Sequence, residues 1–264
     1  MTATVTKPLD FSDITGKKKV QQQVIPEQNL EKHAPAQAMG YPVQQTPAGD
    51  ELLQLFPIPV MICQYPDNYD RELEWIRNCE CRRENKGGGN ECAPGGAVMH
   101  YNRQSEETFI LDKPELANIT SWIESKIEKY VQDIMNSNDK LVITQSWLNK
   151  SKQGESHHEH VHPNSMISGV WFPQIHEQMP PIQFRSTKQR DVALQTTKYN
   201  TFNSATFMLP MKRGELLLFP SNLTHSVPVN QGTEERISLS FNTWPKGNMG
   251  DKQSLTYLPL ERCV

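Results

Sequence analysis

Residues 156–165 read SHHEHVHPNS and put four histidines, His157, His158, His160 and His162, within six positions of a chain that has only eight. Read as a strand, the stretch turns His158, His160 and His162 to one face and His157, Glu159 and Val161 to the other. Residues two apart then have Cα atoms about 6.5 Å apart, within reach of a shared ion, whereas residues four apart lie about 13 Å apart and are not. One ion can therefore take one adjacent pair, 158/160 or 160/162, and His157 with Glu159 is a third frame.

A site needs at least one more ligand from elsewhere. His225, in FPSNLTHSVPVN (219–230), is the best candidate, because it follows the strongly apolar strand GELLLFP (214–220) and sits in a turn at the sheet edge. His100 and His176 lack a comparable setting, and His33 and His176 read as solvated. Eleven residues after His225, Arg236 opens RISLSF, with Ser238 two positions on and on the same face. An inward guanidinium with a neighbouring hydroxyl suits a carboxylate, since the fork offers paired donors and the serine adds one. The plainer alternative is a surface arginine paired with Glu234 or Glu235.

Around these residues the chain is a series of short strands. KLVITQSWLN (140–149), SMISGVWFP (165–173), PIQFR (181–185), GELLLFP and RISLSFNTW (236–244) are each bounded by Gly, Pro, Asn or Ser. In the last of them Ile237, Leu239 and Phe241 alternate with Arg236, Ser238, Ser240 and Asn242. Such a pattern predicts a sandwich or barrel. LFPIPVMIC (55–63) reads as a first strand, alternating Phe56, Ile58 and Val60, with prolines that suit a sheet edge. One long helix is predicted over 113–136, capped by Asp112 with Pro114 in its first turn, and its apolar face runs through Leu116, Ile119, Trp122, Ile123, Ile127, Tyr130, Val131 and Ile134. A short helix within 68–83 would turn Leu73, Ile76 and Cys79 to one side. Trp147, Trp171, Phe172 and Trp244 read as core.

Residues 1–50, rich in Gln, Pro, Ala and Lys, read as a disordered tail or an arm that docks on a partner, and 51–264 as the folded domain. The loop 84–96 is glycine-rich but lacks the context of a phosphate loop. With the polar insertion 186–205, its glycine-rich part 86–96 is placed to line a site mouth. A net charge of −3 gives no basic field for nucleic acid. The most apolar run, 52–63, is about half the ~20 residues of a membrane span. With no secretory pattern and five cysteines, a reducing cytoplasm is the expected compartment. Cys79, Cys81 and Cys92 lack the usual zinc spacing and are expected to be free thiols.

SWLNKSKQGESHHEHVHPNSMISGVWFP, GELLLFPSNLTHSVPVN and ERISLSFN together resemble the Fe(II)- and 2-oxoglutarate-dependent dioxygenases, and more narrowly an oxygenase family found in tailed bacteriophages and bacteria. LFPIPVMIC with NRQSEETFILDKPELANI is a weaker match, and the whole extends over 52–244. The resemblance implies a mainly β fold, a double-stranded β-helix or jelly roll with a few flanking helices. Because the first ligand of this superfamily commonly sits six residues after a glycine, it selects His160, counted from Gly154. It further implies His162 and His225 as metal ligands, Arg236 and Ser238 on the distal carboxylate of 2-oxoglutarate, and Asn149 near that cosubstrate. Position 162 departs from the family, which usually has Asp or Glu there. The resemblance thus implies a hydroxylase that uses Fe(II), 2-oxoglutarate and O2 on an unspecified small molecule or protein side chain, in a host cytoplasm if phage-encoded. A cupin-like metal-binding jelly roll without 2-oxoglutarate, or a virion-associated protein that keeps the fold but not turnover, are the competing expectations.

Overall fold

The computed structural model describes residues 43–45, 49–53, 55–84, 100–186 and 194–260. The chain forms two compact units, Met1–Pro57 and Ile58–Val264. In the first, strands β1 (Val43–Gln45) and β2 (Glu51–Leu53) pair antiparallel. Most of the tail, the loop 86–96 with Cys92, and 187–193 of the insertion lie outside the described residues.

The second unit runs β3 (Met61–Gln64), α1 (Asp70–Asn78), β4 (Cys81–Glu84), β5 (His100–Tyr101), β6 (Arg103–Ser105), α2 (Ala117–Asp133), β7 (Leu141–Ser151), β8 (Glu155–His160) and β9 (Ile167–Gln174). It continues with β10 (Ile182–Arg185), β11 (Thr206–Leu209), β12 (Glu215–Pro220), β13 (His225–Val227) and β14 (Arg236–Pro245). These strands form a large sheet in the order β3-β12-β9-β14-β7-β6-β4 and a smaller one in the order β11-β10-β13-β8-β5. The fold is mainly β, a jelly roll with flanking helices.

Period-two alternation in the large sheet serves two cores at once. Leu148, Trp171, Leu216, Leu218, Ile237, Leu239 and Phe241 pack with the helices. Val170, Phe172, Leu217 and Phe219 point the other way, to Ile182 and Phe184 of the small sheet. On β14 the polar partners of that alternation, Arg236, Ser238 and Ser240, are themselves buried. Burying a guanidinium and two hydroxyls in the interior costs free energy unless they meet polar partners; Ser240 accepts from Asn149 and Arg236 donates to Ser238.

The long helix starts later than its periodicity predicts. Two 3-10 turns, Ile110–Asp112 and Pro114–Leu116, come before Ala117. Lys113 is extended (φ −74°, ψ 133°), as the residue before a proline prefers, so the α-helix cannot run through it and Asp112 does not cap it. Asn136, in the left-handed region at φ 49°, ends the segment. The first strand is also shorter than expected: Phe56 has φ 56° and is 91% exposed, and pairing begins only at Met61, on the predicted edge of the sheet. Leu73 and Ile76 of α1 are buried and Cys79 is half-buried, as its pattern predicts. Lys150 supports this helix from β7: its buried ammonium donates to the carbonyls of Arg77 (2.8 Å) and Cys79 (2.7 Å), at the negative end of the helix dipole.

Candidate metal centre

The turn before β8 needs glycine. Gly154 has φ +85°, and its N–H donates to the carbonyl of Asn230. Asn230, fully buried, donates in turn to the carbonyls of Ser151 and Glu234. This clamp sets the register in which β8 meets β13, with His160 opposite His225.

The register then shifts. Val227, two residues past His225, faces His157, three residues before His160. The extra residue in β8 is a bulge, and a bulge breaks the two-residue alternation. His157 and His160, expected on opposite faces, instead stack with ring centroids 4.4 Å apart and planes 15° apart. The strict-strand reading of the cluster is corrected here. Strand β8 also ends at His160, so His162 is placed by a turn: its N–H donates to the carbonyl of Ser221 (2.9 Å), and the buried Ser221 hydroxyl bonds Ser165 and Ser168. Ser221, the serine of FPS, is a positioning residue that sequence reasoning did not single out.

His160, His162 and His225 each present a ring nitrogen, all within 4.8 Å of one another. The Nε2 atoms of His162 and His225 are 3.2 Å apart. Two nitrogens about 2.1 Å from a common ion would be about 3.0–3.4 Å apart for bond angles between square and tetrahedral, so this pair suits one ion. His225 Nδ1 donates to the Leu223 carbonyl and His160 Nδ1 to the His158 carbonyl, both at 2.9 Å. A carbonyl can only accept, so each ring is fixed as its Nδ1–H tautomer with the Nε2 lone pair free for a metal. Burial, the leading cause, keeps all three rings neutral: His160 is pushed below the usual histidine range, His162 down to about 4, with the neighbouring His160 adding to the effect, and His225 well below. Neutral imidazole is the ligating form.

Arg236 lies in the same interior. It is buried, its Nε has no hydrogen-bond partner, and its guanidinium lies 5.2 Å from the centre of the Phe172 ring. Its Nη1 reaches Ser238 Oγ at 3.5 Å. The surface pairing expected as the alternative is not formed: Glu235 pairs with Arg103 at 2.9 Å and Glu234 lies 3.6 Å from His176. Burial lowers the guanidinium pKa to about 10, which still leaves it charged at neutral pH.

Asn149 faces this interior across from Ser238. Its oxygen accepts from Asn102 (3.1 Å) and Gln104 (3.3 Å), and its nitrogen donates to Ser240 (3.0 Å). The oxygen's acceptor capacity is spent, so only one amide hydrogen could reach a ligand. Trp147 and Trp244 depart from the core reading. Trp147 is half-buried, lies 5.8 Å from the His162 ring and has an unpartnered indole N–H; Trp244 is 37% exposed; Trp171 and Phe172 are fully buried. Cys63, Cys79 and Cys81 are free thiols, and among the described residues no cysteine joins a metal-ligating cluster.

Three neutral imidazoles whose ring nitrogens converge fit a transition-metal ion such as iron, and the buried guanidinium of Arg236 lies in the same interior. Residues 145–242 match the protein family described as "Putative 2OG-Fe(II) oxygenase". No curated protein matches the chain. Similar solved structures include HygX from Streptomyces hygroscopicus with nickel, 2-oxoglutarate and hygromycin B bound, at 10% identity over 72% of this chain and 84% of that one, TM-score 0.49. A Pseudomonas putida prolyl-4-hydroxylase matches at 10% identity over 71% and 94%, TM-score 0.47. A 2OG-Fe(II) oxygenase family oxidoreductase from Burkholderia pseudomallei matches at 11% over 55% and 68%, TM-score 0.42. The stretch 145–242 that matches this family, one described by its use of 2-oxoglutarate and Fe(II), carries the three imidazoles and Arg236.

Proposed function

We propose that the chain is a 2-oxoglutarate-dependent hydroxylase in which His160, His162 and His225 hold Fe(II), and Arg236 with Ser238 holds the distal carboxylate of the cosubstrate. The observation that carries this reading is the state of Arg236. A buried guanidinium with an unpartnered Nε and no carboxylate in ion-pair range among the described residues is costly unless an anion joins it. A dicarboxylate would supply that anion while its other end lies toward the imidazoles.

The chain's contribution is positional. The carbonyls of His158 and Leu223 fix two ring tautomers, and Ser221 holds the backbone of His162. Arg236 fixes the far end of the cosubstrate through its planar fork, and Phe172 packs on that fork and keeps it out of water. Asn149, held by Asn102, Gln104 and Ser240, shapes the adjoining wall and acts on the cosubstrate by position. Fe(II) held there supplies the activation of O2, coupled to decarboxylation of 2-oxoglutarate to succinate and CO2. The substrate is a small molecule or a protein side chain with a C–H bond that can be hydroxylated.

The test is anaerobic titration of the protein with Fe(II) and 2-oxoglutarate, followed by admission of oxygen. A visible charge-transfer band is expected before oxygen, and succinate after it. No band with the native chain would sink the reading; a band without succinate would mean a binding jelly roll that has lost turnover.

A further inference from the structure

The bulge in β8 has a chemical consequence beyond the first ligand set. By resetting the alternation it gathers His157, His158 and His160 as a second group, whose ring nitrogens also lie within 4.8 Å of one another. The rings are in mutual contact: His157 and His160 stack at 4.4 Å, His157 and His158 lie 5.2 Å apart, and His158 and His160 5.1 Å. Tyr101 packs edge-on against His158 at 5.9 Å and steadies that ring. Glu159, the one carboxylate within the stretch, is paired with Arg185 and does not compete for the rings.

We propose that His157, His158 and His160 form a second transition-metal site that overlaps the first at His160. A ligand group of imidazoles alone suits borderline ions such as Zn(II), Ni(II) and Cu(II), which bind more tightly than Fe(II) to a given nitrogen site. His160 has one free ring nitrogen, because its Nδ1 is committed to the His158 carbonyl. An ion held by the second group therefore takes His160 away from His162 and His225. The two positions exclude each other, and zinc in the second displaces an ion from the first. The inference rests on ring positions and stands apart from the oxygenase reading: absence of 2-oxoglutarate turnover would leave it intact.

The probe is zinc, titrated against a chromophoric chelator at neutral pH. The double variant His162→Gln/His225→Gln removes two ligands of the first set and leaves the second whole. It is expected to keep a zinc site, and adding His157→Gln should weaken that site roughly tenfold or more. Equal zinc affinity with and without His157→Gln overturns the proposal. If circular dichroism shows the double variant unfolded, His225→Gln with and without His157→Gln decides by the same comparison. In the native chain zinc should saturate at a single equivalent and release prebound Co(II); two equivalents would overturn the overlap at His160.

Discussion

At position 162 an imidazole stands where this chemistry usually places a carboxylate, and the structure brings that ring to 3.2 Å from His225. If all three rings ligate, His160→Ala and His225→Ala should each weaken Fe(II) binding by more than about 100-fold, the upper end of what lost supporting contacts cost. His162→Asp, which supplies the usual charge, should retain binding; anaerobic Fe(II) titration measures all three. A His162→Ala variant that binds as tightly as the native chain would remove His162 from the set. The same ring sets a pH dependence. Its folded pKa, about 4, lies below the unfolded value near 6.5, so the metal-free folded chain binds fewer protons than the unfolded chain between those values. Stability from this source is complete above about pH 6.5 and is lost as pH falls toward about 4. The melting temperature of the metal-free protein should drop by about 5 °C or more from about pH 7.5 to about pH 5, and His162→Gln should flatten part of that slope. An unchanged slope would mean that the ring is not held neutral by burial.

Among the elements, those whose periodicity is strong were readable from sequence, and those decided by one backbone position were not. Strand β14 shows its two faces in its letters, and the buried face of α2 can be counted off by threes and fours. The late start of α2 turns on Pro114 acting on Lys113, and the shortened β3 on the positive φ of Phe56. The bulge leaves no mark in SHHEHVHPNS, because it arises where β8 meets a strand some 65 positions later in the chain. For that reason the pair His160 and His225 could be found from spacing and resemblance, whereas the stacking of His157 on His160 could not. Tertiary partners likewise decide Asn149, whose acceptor capacity is taken by Asn102 and Gln104. Two substitutions test the element-level account. A Cβ on Gly169 would collide with the ring of Phe241 across the β9–β14 pair, so Gly169→Ala should cost about 1–3 kcal/mol in denaturant unfolding. Lys150→Met should cost a similar amount, about 1–3 kcal/mol, by leaving the carbonyls of Arg77 and Cys79 without their donor. A loss below about 0.5 kcal/mol in either case would show that the neighbouring chain relaxes.

On the scale of the whole molecule, the two sheets are joined in the interior by apolar packing on one side and by an incompletely satisfied polar group on the other. Val170, Phe172, Leu217 and Phe219 meet Ile182 and Phe184. Beside them, Arg236 is buried with its Nε unpartnered and His225 is buried against the half-buried rings of His160 and His162, an arrangement that a bound cation and anion would complete. Ligands that bind only the folded chain stabilise it by mass action, about 2.7 kcal/mol at 100 times Kd. For a domain of this size that corresponds to a rise of roughly 5–10 °C in melting temperature. Ni(II), which does not turn over with oxygen, together with 2-oxoglutarate should therefore raise the Tm of the native chain by about that amount. In Arg236→Met the nickel increment should remain and the further increment from 2-oxoglutarate should vanish, because the methionine fills the space without offering a charge. The bare Arg236→Met chain should itself melt at or above the native temperature, since it no longer buries an uncompensated guanidinium. A 2-oxoglutarate increment that survives in Arg236→Met would place the cosubstrate anchor elsewhere in the barrel, and a bare variant that melts well below the native chain would show that the guanidinium is already compensated within the fold.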